Sequence, residues 1–163
     1  MGDYSFSIDL PVRSEWANVD LVRTSVQSCL AAMFRDVDGC HAIAMVTGEL
    51  LENAVKYGRW SGEERAFRLR VEGNARRAQV TVESPTAAAD EHTADLLSTL
   101  EWIRTFPSAE AAYRARLLEL GTSQHAASKL GLVRVAYEGE CELSAEVKDG
   151  SVRVTADLEF PGD

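Results

Sequence analysis

Between Cys40 and Tyr57 the apolar residues Ala42, Met45, Val46, Leu50, Ala54 and Tyr57 recur at intervals of three and four, the period of one helix face. Glu49 and Asn53 stand four apart at the border of that stripe, one turn above the other, and Lys56 joins the same side. An apolar stripe must be covered by another layer. Glu, Asn and Lys buried without partners cost free energy. The fold must therefore lay this helix on a core and leave a cleft or partners along its border. The plainer alternative is a surface pair, Glu52 with Lys56, beside an Asn53 bonded locally.

The remaining pattern supplies the layer. Tyr4–Leu10 alternates polar and apolar residues, which predicts a strand closed by Pro11. Ser14 is an expected cap for a helix over roughly 15–34, with Val19, Val22, Val26, Cys29, Leu30 and Met33 on its apolar side. Asp36–Gly39 reads as a turn, Gly58 as a helix cap and Arg59–Arg65 as a polar loop. Phe67–Val71 and Val80–Val82 alternate around Gly73-Asn74, a hairpin that Pro85 ends. Helices are expected over 87–104 and, capped by Ser108, to about Leu120. Leu132–Tyr137, Cys141–Val147 and Val152–Phe160 look like strands, with Asp149-Gly150 as a hairpin turn. The resulting expectation is one α+β domain over 1–163: a two-layer sandwich with a mixed sheet covered on one face by helices.

Composition narrows the function. Apolar residues make up 45% of 163, enough for a core, and the formal charge is −9. Such a charge disfavours nucleic acid and anionic membrane surfaces, and steers the chain toward a basic protein partner. Cys29, Cys40 and Cys141 form no CxxC pair and read as reduced thiols, Cys29 as core packing. His41, His92 and His125 lack zinc-ligand spacing. Neither a signal peptide nor a membrane span is evident, so a cytoplasmic location is expected.

Glu49, Asn53, Ala54, Lys56 and Tyr57 together resemble the N-box of the GHKL superfamily, which includes gyrase, MutL, histidine kinases and anti-sigma-factor kinases. The short chain and early N-box resemble the stand-alone bacterial anti-sigma-factor kinases and partner-switch kinases. The resemblance implies a Bergerat-type sandwich binding ATP and Mg²⁺. It implies Asn53 as metal ligand, Glu49 as the base orienting a water or hydroxyl, and Lys56 as a phosphate contact. Mg²⁺ prefers hard oxygen ligands, and phosphoryl transfer needs mainly positioning and charge neutralisation, so these residue types suit the chemistry.

Elsewhere the family pattern is eroded. Where it has Asp-x-Gly-x-Gly, this chain reads Val82-Glu83-Ser84-Pro85-Thr86-Ala87, leaving Glu83 or Ser84 as adenine contacts. The second glycine motif has two registers. Gly121 could open a phosphate-facing helix, or Leu130-Gly131-Leu132 is the remnant, with Lys129 in place of a glycine and Leu132–Tyr137 helical. The insert 86–120 is apolar along one side (Leu96, Leu97, Leu100, Trp102, Ile103, Tyr113, Leu117, Leu118) and is expected to pack permanently. Trp60 and Trp102 read as core or as an aromatic interface. Two functions follow: a regulatory protein acting through a protein partner, alone or as a homodimer, with ATP and Mg²⁺ reduced or absent; or a working serine/threonine protein kinase. A structural domain unrelated to either is the third reading.

Overall fold

The computed structural model describes residues 3–11, 16–33, 37–57, 66–86, 90–122 and 130–161. The expected features at Ser14, Gly58–Arg65 with Trp60, Ala87 and Ser123–Lys129 lie outside them. In chain order the elements are β1 (Tyr4–Pro11), α1 (Trp16–Met33), α2 (Val37–Tyr57), β2 (Ala66–Gly73), β3 (Arg77–Pro85), α3 (Glu91–Arg104), α4 (Ala109–Leu120), α5 (Leu130–Glu138), β4 (Cys141–Lys148) and β5 (Ser151–Glu159). One sheet, ordered β1-β2-β3-β5-β4, carries the helices on one face, a two-layer α/β sandwich.

Every pairing in that sheet is antiparallel, where a mixed sheet was expected. Connectivity explains the difference. Between β1 and β2 the chain makes two packed helices, which return it reversed. β3 and β4 do run parallel, but β5 folds back between them and pairs with both. The β4–β5 turn is the expected Asp149-Gly150, with φ of 51° and 74°, as a type I′ turn requires.

Strand alternation sorts the sheet's two faces. Leu69, Val71, Val80, Val82, Val154, Ala156 and Leu158 are buried against the helices. The residues between them are polar and cross-linked on the outer face by pairs such as Gln79–Asp157 and Arg68–Asp9. From α2, Ile43, Val46, Leu50, Leu51 and Ala54 join that core. Val37–Gly39, expected as a turn, is already helical, because Val37 opens α2.

Three other expectations are corrected. Cys29 is exposed: Val19, Val26 and Leu30 centre the buried stripe of α1, and Cys29 sits on its flank. Residues 132–137 are helical within α5, not a strand. Their buried residues come in adjacent pairs, Leu132-Val133 and Val135-Ala136, which one helix face can bury together and a pleated strand would split. Finally, Leu117 and Leu118 of α4 are exposed, at 44% and 79%. The contact of α4 with α3 runs instead through Arg116, whose guanidinium lies 4.0 Å over the Trp102 ring. Trp102 also meets Phe106 edge-on, so it packs within the insert. The Ser108 cap is present, its hydroxyl accepting from the Ala111 N–H.

Candidate functional site

The middle of α2 meets the start of α5 at three of the residues singled out by the sequence. Gly131 lies in the first turn of α5, against Glu49 and Asn53. A Cβ there would stand 3.3 Å from Glu49 Oε2 and 4.0 Å from Asn53 Nδ2. The missing side chain therefore lets the carboxylate approach the α5 backbone closely. Between the two registers left open, the structure brings Gly131 to the site. Gly121 ends α4 as its C-cap, and the segment that follows it lies outside the described residues.

Glu49 is mostly buried, its side chain 18% exposed, and it pairs with Arg134 of α5 at 3.4 Å. Arg134 is shared: its Nε also donates to Glu138 Oε2 at 2.9 Å. Burial raises the Glu49 pKa. Arg134 acts the other way, Glu52 and Glu138 add to the rise, and Arg23 opposes it. Because the folded pKa is raised, the ionised carboxylate is the form that the fold disfavours. The cost is absent below the unfolded carboxylate range and complete once pH has risen through the folded pKa. Glu49→Gln is therefore expected to raise the melting temperature at neutral pH. The gain should shrink as pH falls toward about 4. Thermal melts of both proteins between pH 4 and 8 check this, and a destabilised variant at pH 7 would contradict it.

One turn after Glu49, Asn53 has its Nδ2 buried with no hydrogen-bond partner among the described residues. An orphaned buried donor costs about 1–3 kcal/mol, which makes it a place to look for function. Lys56 is exposed in the last turn of α2, about 10 Å along the axis from Glu49. It favours the negative helix end whatever else it does.

Asn53 lines a cleft that continues between α2 and the sheet, walled by Ala54, Val82, Ser84 and Val152. Thr93 and Leu96 of α3 close its other side. Ser84 is buried and faces this cleft; Glu83 does not. The pleat turns Glu83 to the outer face, where Arg153 Nη2 holds it at 2.9 Å. The cleft amounts to about 40 Å³. That holds a few waters. The α3 N-terminus is fixed there by Asp90, which caps His92 N–H, and by a 2.6 Å hydrogen bond between the Thr86 and Thr93 hydroxyls.

Among the described residues the space beside Asn53 offers a nucleotide and its metal a poor fit: it has room for a few waters, and Pro85 fixes the backbone at the end of β3. The carboxylate beside the candidate metal ligand is already paired with a guanidinium. Sequence reasoning missed Arg134. Its signal was present: in a helical register Arg134 lies three after Gly131 and four before Glu138, so it shares a face with both.

Comparison with solved structures places the fold. A chain in the crystal structure of the SiaB-SiaC complex from Pseudomonas aeruginosa is similar over 95% of this chain and 89% of its own length, with a TM-score of 0.67 and 16% identity. No protein-family model matches the sequence, and no curated protein matches it. The architecture is thus shared with a component of a two-protein complex. Among the described residues no helix is long and apolar enough to cross a membrane.

Proposed function

We propose that this chain is a cytoplasmic signalling module of the GHKL type that acts by contact with a protein partner and has reduced or lost nucleotide binding. The observation carrying the reading is the state of the cleft. The helix with the N-box-like residues is present, and the cleft that the described residues wall beside Asn53 encloses only about 40 Å³ under α3. The similar solved structure, a complex of two proteins, supports the partner half of the reading. An acidic chain would favour a partner with a basic face.

One observation favours the kinase reading: Gly131, distant in sequence, meets Glu49 and Asn53 as an ATP site would need. A calorimetric and thermal-shift titration with ATP and GTP, with and without Mg²⁺, separates the two. The regulatory reading expects no binding at micromolar nucleotide. Losing a purine-specific hydrogen bond and leaving its partner unpaired costs about 1–3 kcal/mol, or one to two decades of affinity. Any residual binding should depend on Mg²⁺, discriminate poorly between ATP and GTP, and vanish in Asn53→Ala. Tight, adenine-selective binding by the wild type would sink the regulatory reading. Glu49→Gln should then abolish phosphotransfer with the fold intact.

A further inference from the structure

The Arg134 guanidinium lies 3.4 Å from Glu49 Oε1, on the α5 face that also presents Gly131 to Glu49 and Asn53. We infer that Arg134 is the resident cation of this site: paired with Glu49, it takes the place of a divalent metal between α2 and α5 and excludes one. The inference rests on the proposed function only in locating the site on Glu49 and Asn53.

Three features hold the cation in place. Arginine remains protonated at any working pH, so its charge cannot be removed. Glu138, one turn further along α5, fixes the guanidinium from the other side at 2.9 Å. α5 itself is anchored by Leu132, Val133, Val135 and Ala136, all buried, so Arg134 does not depend on a mobile loop for its position. Gly131 completes the arrangement. One turn before Arg134, it leaves room for the Glu49 carboxylate against the helix backbone, where a side chain would crowd Oε2. A divalent ion brought to Glu49 would meet a fixed positive charge a few ångströms away. It would also compete with the guanidinium for the charge of the one carboxylate. Among the described residues no group of three or more His, Cys, Asp or Glu offers an alternative cage.

The probe is Mn²⁺, followed on the full chain by calorimetry and by paramagnetic broadening of amide signals. Wild type is expected to show no broadening centred on residues 49–53 at millimolar Mn²⁺. Arg134→Gln removes the charge while keeping a donor for Glu138, and is expected to gain Mn²⁺ affinity at least tenfold. The gain should disappear in Arg134→Gln/Glu49→Gln. Arg134→Lys, which retains a cation, should show none. Broadening around Asn53 in wild type overturns the inference, and that measurement stands even if Arg134→Gln fails to fold. Equal Mn²⁺ affinity in wild type and a folded Arg134→Gln also overturns it, as does a gain of equal size in Arg134→Lys. The outcomes are separable from the nucleotide test. ATP binding by wild type without metal ends the proposed function and leaves Arg134's role standing. Mn²⁺ binding without nucleotide does the reverse.

Discussion

Leu51→Ala is expected to remove about 2–5 kcal/mol of folding stability, the range for truncating a buried leucine and leaving a partly relaxed cavity. Leu51 is 1% exposed and sits two residues before Asn53, among the α2 residues that join the core. The loss combines the transfer free energy of the deleted carbons with the missing contacts around the hole. A domain of this size has only about 5–15 kcal/mol in total, so the substitution should move the urea midpoint far. Leu118→Ala is the matched control. It deletes the same atoms from a side chain 79% exposed and should stay within about 0.5 kcal/mol. Equal effects at the two positions would mean that α2 does not lie on the sheet as described. The candidate site would go with it, because Glu49 and Asn53 are positioned only by that docking.

How far the sequence speaks depends on the range over which each signal acts. The alternation of Tyr4, Phe6 and Ile8 and that of Phe67, Leu69 and Val71 predicts strands because those residues turn one face of the element toward the core. Ser108 and Asp149-Gly150 were legible because a cap and a type I′ turn are satisfied within a few residues. α5 reads as strand or helix because Leu132, Val133, Val135 and Ala136 satisfy a short apolar run in either state, and only packing against α2 and α4 decides. Glu83 and Ser84 were both offered as adenine contacts. The buried Val80 and Val82 already imply, by the pleat, that only Ser84 can face the helices. The Glu49–Arg134 pair joins residues far apart in the chain, and the closure of the cleft depends on where α3 docks. The spacing of Gly131, Arg134 and Glu138 marks one face of α5, but nothing local says that this face meets Glu49 or where α3 docks.

Trp102→Ala is expected to cost about 3 kcal/mol, the low end for deleting a large aromatic because the ring is only half-buried. The ring does two jobs in the insert. It meets Phe106 at 4.5 Å between centroids, and its face carries the Arg116 guanidinium. Arg116 is itself nearly buried, its side chain 8% exposed. It would then keep only Glu119, at 2.8 Å, and face a cavity with a charge. The damage should therefore concentrate in α3 and α4. In wild type their amides should exchange slowly without nucleotide and change little when ATP is added, because Leu100 and Ala112 are buried. In Trp102→Ala the same amides should exchange first, while those of β3 and β5 stay protected. A lid that orders on binding behaves in the opposite way, exchanging fast alone and slowing with ATP. That pattern in wild type would show that α3 leaves the cleft. The narrow space beside Asn53 and Ser84 would then be the closed state of a nucleotide site rather than its loss.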